Sequence, residues 1–345
     1  MVRRRAHTRT QTLCAYGTFL ILGCLVLLFS GCAMPKVHPY PEARISTPEF
    51  RPSDNAFISF DGSPLGLTVW GLDVTDPDYV VVGVHGMNDY AMAFHMAAPY
   101  WAERGVRTYA YDQRGFGRSP GRGIWPDEDA MREDLRTAVA VARRDHPNAV
   151  ISVVGISMGA AVAMSVYGTD DHLDVDRLIL SGPGLRGWNA IPLYQQLALR
   201  ISAHVRPGWI VVPPKGLVKI EPSDNVEMLR RTWSDPLMQR DNRIDQIHGV
   251  VSVMNAAHKA APYLPDNTLF LYGARDIVIP EKGVRQTSKR LPDHVRTAYY
   301  EAGYHMLMRD LQAENVWMDA LEFMREPTSD LPSGASELPW LEKSR

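Results

Sequence analysis

Ser157 stands between two glycines in the stretch Gly155-Ile156-Ser157-Met158-Gly159 and is the first candidate for a nucleophile in this chain. A β-branched, apolar run precedes the stretch, and small helix-compatible residues follow it. A serine in a sharp turn between a strand and a helix adopts positive φ, and the flanking chain comes so close that small residues are needed two positions away on either side. The pattern therefore predicts a nucleophile elbow with Ser157 at its tip and Gly155 and Gly159 as its structural residues.

Two further side chains have the types that would activate such a serine. A serine hydroxyl becomes nucleophilic only when a base takes its proton and a third group orients that base. Asp276 follows one apolar run by a few residues, and His305 follows the last such run. The chain order of nucleophile, acid and base is one of the known orders of a catalytic triad. The sequence thus predicts a triad of Ser157, His305 and Asp276, with Glu281 as the next candidate acid.

Acyl transfer also needs backbone N–H groups directed at the negative charge that develops on the substrate oxygen. Met158 is the first residue of the helix predicted after the elbow, where N–H groups have no partner within the helix. The second donor is expected in the loop that begins with His85-Gly86, and Met87 is the natural residue for it. Met87 and Met158 are therefore predicted to form the oxyanion hole, and His85 is expected to brace the loop.

The elements that must position these residues alternate between strands and helices. An Asp61-Gly62 turn indicates an antiparallel hairpin, and residues 126–147, with acids in the first turn and arginines in the last, indicate a helix. Such alternation predicts the α/β class, with a mostly parallel central sheet flanked by helices and active-site residues at the carboxyl ends of its strands. His305 is expected at the head of the last helix. Six further strands are predicted, in chain order: YVVVGVH, VRTYAYD, AVISVVG, RLILSGP, NTLFLYG and RTAYYE.

A long insertion lies between the sixth strand, RLILSGP, and the seventh strand, NTLFLYG. It is far longer than a crossover between parallel strands requires, and it predicts a lid, or cap, over about residues 185–262. Two interpretations of its first helix stay open, namely packing on the core of the α/β domain and the apolar underside of a lid that forms an acyl-chain pocket. One face of that helix carries four apolar residues: Leu193, Leu197, Ile201 and Val205.

Residues 1–31 are predicted to be a signal or anchor segment outside the fold, because an arginine-rich start precedes the apolar residues 13–30. The small pair Ser30-Gly31 before Cys32 makes the segment resemble a bacterial lipoprotein signal, in which that cysteine is diacylated and becomes the mature N-terminus. Cleavage before Cys24 is a second possibility, and an uncleaved transmembrane anchor is a third, since about 18 apolar residues just span a bilayer. Each alternative anchors the protein to the membrane of the bacterial cell envelope, with the catalytic domain outside the cytoplasm.

Composition divides the rest of the chain. Residues 32–55 are predicted to be a Pro-rich linker, residues 56–325 a single domain with the insertion, and residues 326–345 a flexible Pro/Ser-rich tail. The chain of 345 residues has a formal net charge of −2, which argues against a nucleic-acid partner. All three cysteines precede residue 33, so neither a disulfide framework nor a cysteine metal site is expected in the fold. No metal ion and no cofactor are predicted.

Several motifs make the chain resemble a known family. VHGMNDY, DQRGFGRSPG, GISMG, GARDIVIP and AGYHMLMRD stand where the group of α/β-hydrolases that contains monoacylglycerol lipases and lysophospholipases places its motifs, and SDPLMQRDNR resembles that family's Asp-Pro-Leu segment. The resemblance covers roughly Phe57 to Met324 and implies an α/β-hydrolase fold. The anchor and linker depart from the family, because many relatives are soluble or associate with membranes through the cap alone. The family's nucleophile, acid, base and two oxyanion donors carry over to Ser157, Asp276, His305, Met87 and Met158.

Two functional interpretations follow from these residues and from the resemblance. The first is an anchored serine esterase acting on single-chain lipid esters, such as monoacylglycerols or lysophospholipids, through an acyl-enzyme. Thioesterase, peptidase or lactonase activity remains open within it, because a fold does not settle the substrate. The second is a catalytically silent hydrolase fold that acts as a scaffold at the envelope. A complete triad order together with both oxyanion positions favours the enzyme.

Overall fold

The structure is a computed structural model that describes residues 37–42, 47–211 and 221–341. The predicted signal segment and Cys32 lie outside the described residues. The strands are β1 (Val37–His38), β2 (Glu49–Arg51), β3 (Ala56–Ile58), β4 (Pro64–Trp70), β5 (Tyr79–Val84), β6 (Val106–Tyr111), β7 (Trp125–Pro126), β8 (Val150–Ile156), β9 (Arg177–Ser181), β10 (Ile210–Val211), β11 (Asn242–Arg243), β12 (Thr268–Gly273) and β13 (Arg296–Tyr300). The α-helices are α1 (Ala97–Ala102), α2 (Glu128–Asp145), α3 (Met158–Val166), α4 (Leu193–Val205), α5 (Val226–Ser234), α6 (Ile244–Ala260), α7 (Glu281–Ser288) and α8 (Ala313–Arg325).

Nine of these strands form the central sheet, in the order β13-β12-β9-β8-β5-β6-β4-β3-β2. The six strands from β13 to β6 run parallel to one another. Strand β4 pairs antiparallel with β6, and β3 and β2 complete that end of the sheet by further antiparallel pairing. The strands predicted from the sequence are present, with ends that differ by at most two residues, and the hairpin turn contains Gly62 at φ +77°. The prediction of a mostly parallel sheet in an α/β fold is confirmed.

Helices cover both faces of the sheet, so the central strands are buried on both sides. In β5, Val80 and Val82 point into one apolar cluster and Val81 points into the other, as the two-residue period of a strand requires. The first cluster includes residues of α2, α3, α6 and α7, and the second includes residues of α1 and α8. This layering leaves the strand ends as the place where polar chemistry can be exposed.

Of the three α-helices described in the insertion between β9 and β12, α6 packs in the core and α4 lies at the surface. Helix α6 buries Val253 and Ala257 in the first apolar cluster, whereas α4 contacts α6 through the side that carries the fully buried Ala203. The four apolar residues of the predicted stripe do not face the body. These four side chains are Leu193, Leu197, Ile201 and Val205, and their exposed fractions run from 53% to 76%. Within the described residues, the stripe therefore neither packs on the core nor lines a pocket.

The folded body extends beyond the predicted limits of 56–325 at both ends. Strands β1 and β2 lie in the predicted linker 32–55, where β1 pairs with β7 and β2 pairs with β3. The predicted flexible tail 326–345 is also wrong for its described part, because Leu338 is fully buried and Trp340 is 7% exposed. A few apolar residues are enough to hold a Pro-rich segment against a sheet edge, even though such a segment has no periodicity. None of the helices in the described ranges is long and apolar enough to span a membrane.

Candidate active site

Ser157, His305 and Asp276 lie together beyond the carboxyl ends of β8, β13 and β12. Oγ of Ser157 is 2.9 Å from Nε2 of His305, and Nδ1 of His305 is 2.7 Å from Oδ2 of Asp276. A carboxylate accepts hydrogen bonds only, so Nδ1 carries the imidazole proton and Nε2 is free to accept the proton of Ser157. Both partners of the serine are buried, with 7% exposure for His305 and 6% for Asp276. The arrangement can move a proton from the serine to the imidazole.

The second oxygen of Asp276 fixes the direction of this carboxylate. Oδ1 accepts hydrogen bonds from the backbone N–H groups of Val278 and Ile279, both at 2.8 Å. The side chain is therefore anchored in its own loop, and Oδ2 is left to bind His305. Glu281, the alternative acid, is half-exposed on α7 and forms an ion pair with Arg285, away from the histidine.

Ser157 sits in a strained turn between β8 and α3, as the elbow pattern predicts. Its φ is 53° and its ψ is −113°, a conformation that non-glycine residues rarely adopt. A Cβ on Gly159 would lie 2.1 Å from the carbonyl oxygen of Val84, and one on Gly155 would lie 2.6 Å from Cα of Ala160. Backbone atoms fill the space around the elbow, so only glycine fits at either position.

One of the two predicted oxyanion donors lies in the elbow itself and the other lies in a loop beside it. Met158 is the first residue of α3, where its N–H has no acceptor within the helix. Met87 lies in the loop after β5, and this loop runs close to the nucleophile, because a Cβ on Gly86 would be 3.2 Å from Cβ of Ser157. N–H groups at these two positions can donate to the oxyanion of a substrate carbon that is bonded to Oγ of Ser157.

His85 supports the loop of Met87 through hydrogen bonds. The fully buried ring places Nδ1 2.7 Å from the carbonyl oxygen of Gly86, and Nε2 accepts a hydrogen bond from the N–H of Gln113 at 2.8 Å. The side-chain amide of Gln113 in turn donates to the carbonyl oxygen of His85 at 2.7 Å. Burial lowers the pKa of His85, so the ring is neutral with its proton on Nδ1.

His305 does not stand at the head of a helix as expected. It lies in a series of turns between β13 and α8, which begins eight residues later at Ala313. These turns are fixed by Asp310, whose Oδ2 accepts a hydrogen bond from the N–H of Tyr304 at 2.7 Å. Burial raises the pKa of Asp310 to about 6.

Sequence reasoning missed several residues that position the site. The carbonyl oxygen of Ser157 accepts a hydrogen bond from the N–H of Gly184 at 2.9 Å, and Gly182, at φ +51°, lets the chain pass His305, whose carbonyl oxygen would lie 3.0 Å from an added Cβ. The sequence feature that could have indicated these contacts is the pair of glycines after β9, Gly182 and Gly184. Asp89 and Arg309, both almost fully buried, form an ion pair that joins the loop of Met87 to the loop of His305.

The insertion contacts both of these loops. The hydroxyl of Tyr90 donates to Oδ2 of Asp235 at 2.5 Å, so the Asp-Pro-Leu segment is bound to the oxyanion loop. On the other side, the N–H of Met306 donates to the carbonyl oxygen of Pro222 at 2.9 Å. Within the described ranges, no three His, Cys, Asp or Glu side chains are grouped so that they could hold a metal ion.

Known proteins resemble this chain over most of its length. Residues 75–312 match the family described as "Serine aminopeptidase, S33". A monoacylglycerol lipase of Mycolicibacterium smegmatis is 26% identical over 275 residues, which cover 79% of this chain and 96% of that protein. The monoglyceride lipase of Homo sapiens is 23% identical over 259 residues, covering 74% of this chain and 84% of the human protein.

Solved structures give the same fold at low sequence identity. A soluble variant of monoglyceride lipase from Saccharomyces cerevisiae, in complex with a substrate analog, has a TM-score of 0.65 at 19% identity and covers 85% of this chain and 99% of its own. A monoacylglycerol lipase from Paleococcus ferrophilus has a TM-score of 0.62 at 21% identity and covers 75% of this chain and 98% of its own. The chain therefore belongs to the serine aminopeptidase S33 family of α/β-hydrolases and is a serine carboxylic ester hydrolase.

Proposed function

We propose that this protein hydrolyses single-chain lipid esters, of the monoacylglycerol or lysophospholipid type, through an acyl-enzyme on Ser157. The observation that carries the proposal is the unbroken hydrogen-bonded series from Oγ of Ser157 through the ring of His305 to Asp276, with contacts of 2.9 Å and 2.7 Å. In this arrangement His305 is the general base and Asp276 orients it.

The reaction follows from the positions of these groups. Oγ of Ser157 attacks the ester carbonyl while Nε2 of His305 takes its proton, and the N–H groups of Met87 and Met158 hold the oxygen that becomes negatively charged. When the tetrahedral intermediate collapses, the imidazolium gives its proton to the leaving alcohol. Water then attacks the acyl-enzyme with His305 again as the base, which releases the fatty acid and restores Ser157. Asp276 holds the imidazole in place and stabilises the imidazolium.

The lipid character of the substrate is supported by two observations. Relatives named monoacylglycerol lipase or monoglyceride lipase match this chain over 84% to 96% of their own lengths. The insertion that contacts both catalytic loops also presents the apolar stripe of α4 to the outside, with Leu193 76% exposed and Val205 62% exposed. Contiguous exposed apolar surface is typical of sites that meet a lipid or a protein.

We also propose that the enzyme is anchored at the bacterial cell envelope by a diacylated Cys32, with the catalytic domain outside the cytoplasm. The proposal is supported by the sequence of residues 1–32, which lie outside the described residues. Two acyl chains give stable membrane attachment, whereas one chain gives only reversible binding. An uncleaved transmembrane segment is the alternative.

Hydrolysis of a panel of acyl compounds tests the proposed substrate class. The panel consists of a monoacylglycerol, a lysophospholipid, a short soluble ester and a thioester of the same acyl chain, each assayed with the wild type and with Ser157→Ala. We expect the highest kcat/KM on a single-chain lipid ester and a loss of roughly 10⁴-fold or more in Ser157→Ala. A preference for the thioester would make the protein a thioesterase. Activity on none of the compounds would favour the catalytically silent scaffold.

A further inference from the structure

The C-terminal strap, residues 329–341, lies outside the stretch 75–312 that matches the family and packs against the edge of the central sheet. The N–H of Tyr299 in β13 donates to the carbonyl oxygen of Ser336 at 2.8 Å, and the N–H of Leu338 donates to Oγ1 of Thr297 at 3.1 Å. The strap thereby covers the outer edge of β13, whose backbone groups would otherwise be open to other chains. Covering an edge accounts for the middle of the strap but not for the contacts at its end.

Trp340, near the end of the strap, makes a specific set of buried contacts. Its indole N–H donates to Oγ of Ser288, the last residue of α7, at 2.8 Å. Its ring packs edge-on against Tyr272 with the ring centroids 6.1 Å apart, and the guanidinium of Arg285 lies 4.9 Å from the ring centroid on the side of α7. Trp340 therefore holds α7 and the end of β12 together.

Tyr272 continues this series of contacts to the catalytic acid. Its hydroxyl donates to the carbonyl oxygen of Ile279 at 3.0 Å, and the N–H of Ile279 donates to Oδ1 of Asp276 at 2.8 Å. The loop between β12 and α7 is thus tied at Ile279 by Tyr272, while the far end of α7 is tied at Ser288 by Trp340. The carboxylate of Asp276 depends on that loop for its direction.

We propose that Tyr272 and Trp340 are positioning residues for Asp276, and that the strap sets the geometry of the acid in addition to covering a sheet edge. The proposal rests on the proposed function, in which Asp276 orients His305. Hydrogen bonds weaken steeply as length and angle depart from their optimum, so a small shift of Ile279 turns Oδ2 away from Nδ1 of His305. Each positioning residue acts through the acid loop, to which these contacts lead.

Tyr272→Phe is the most direct perturbation, because it removes one hydroxyl and leaves the ring that packs against Trp340. We expect kcat to fall about fivefold with KM unchanged, as for the loss of one ordinary hydrogen bond expressed at the transition state. The acid limb of the pH profile of kcat/KM should move to lower pH, because a weaker contact with the carboxylate stabilises the imidazolium less. Trp340→Phe should act in the same direction with a smaller effect, and Trp340→Ala with a larger one.

Two control variants separate positioning from simple stabilisation. Tyr167→Phe removes a buried hydroxyl that has no hydrogen-bond partner in the described residues, so it matches Tyr272→Phe without touching the acid loop. Ser333→Ala breaks a contact between the strap, seven residues before Trp340, and Asp319 of α8. We expect Ser333→Ala to lower Tm and Tyr167→Phe to change little, with neither variant altering kcat or the pH profile.

The deciding experiment measures kcat, KM and the pH profile on a soluble ester for all these full-length variants, together with Tm and the rate at which a fluorophosphonate labels Ser157. Slower labelling and lower kcat in Tyr272→Phe, at a temperature well below its Tm, is the expected result. Unchanged kcat and labelling in Tyr272→Phe would overturn the proposal while Ser157→Ala remains inactive. An active Ser157→Ala would instead overturn the proposed function, and this inference with it. Should Trp340→Ala fail to fold, Tyr272→Phe and Trp340→Phe decide the matter.

Discussion

Replacing Asp276 by asparagine changes which atoms of the side chain donate and accept hydrogen bonds, while the shape of the side chain stays nearly the same. The carboxylate has two oxygens, one bound to the backbone N–H groups of Val278 and Ile279 and one bound to Nδ1 of His305. An amide has only one oxygen. The two backbone donors require that oxygen, because an NH₂ group would face them donor to donor, and so the amide NH₂ must point at His305.

The consequence for His305 follows from its single ring proton. With an NH₂ group beside Nδ1, that nitrogen must accept a hydrogen bond, so the proton moves to Nε2. Nε2 then faces Oγ of Ser157 at 2.9 Å as a donor and cannot take the serine proton. For a wrong tautomer of this kind we expect kcat to fall by roughly 10⁴, or about 5 kcal/mol of transition-state stabilisation. The fold should be kept, because both backbone donors keep their acceptor.

Steady-state hydrolysis of a soluble chromogenic ester, with Tm measured on the same samples, checks this prediction. The matched control is Glu281→Gln, which makes the same chemical change on an exposed carboxylate of α7 and should leave kcat unchanged. If Asp276→Asn kept kcat within about tenfold of the wild type, Asp276 would not be the group that orients His305. Activity lost in Glu281→Gln instead would transfer that role to Glu281.

Three further predictions concern the elbow, the oxyanion loop and the anchor. Gly159→Ala places a Cβ 2.1 Å from the carbonyl oxygen of Val84 and should lower Tm by roughly 10 °C or more; an unchanged Tm would contradict the backbone contact. Because burial lowers the pKa of His85, the unfolded state takes up the ring proton at a higher pH than the folded state does. The contribution of His85 to stability is therefore present above about pH 6.5 and falls on acidification. NMR should show the ring titrating below about pH 6.5, and a ring that is protonated at or above that pH would contradict the prediction. Cys32→Ser should release the protein from membranes and keep kcat on a soluble ester, whereas continued membrane binding would indicate a transmembrane anchor.

The parts of the site that the sequence predicts are those set by short-range patterns. The elbow requires glycines at fixed distances from Ser157, and the acid and base follow strands that have clear β-branched runs. Parallel strands bring their carboxyl ends to one edge of the sheet, so residues as distant along the chain as Ser157 and His305 are expected to meet there. Local sequence patterns and the geometry of a parallel sheet are therefore sufficient to predict these residues.

Contacts between loops could not be predicted from the sequence in the same way. The ion pair of Asp89 and Arg309 joins positions 220 residues apart, and no local pattern selects these two charges from the others in the chain. The exposed stripe of α4 has the same periodicity as a buried one, so its sequence cannot distinguish a face that packs from a face that is open. The Pro-rich composition of the strap predicted a flexible tail. Trp340 is buried there because it packs on β12 and α7, which its own segment of sequence does not indicate.

The most direct test of the proposed mechanism is the site at which a fluorophosphonate reacts. The protein is labelled, digested and analysed by mass spectrometry, with Ser157→Ala and His305→Ala treated in parallel. We predict one adduct, on the peptide that contains Ser157, which is absent in Ser157→Ala and forms far more slowly in His305→Ala. An adduct on a different serine, or labelling of Ser157 at the same rate without His305, would contradict the mechanism.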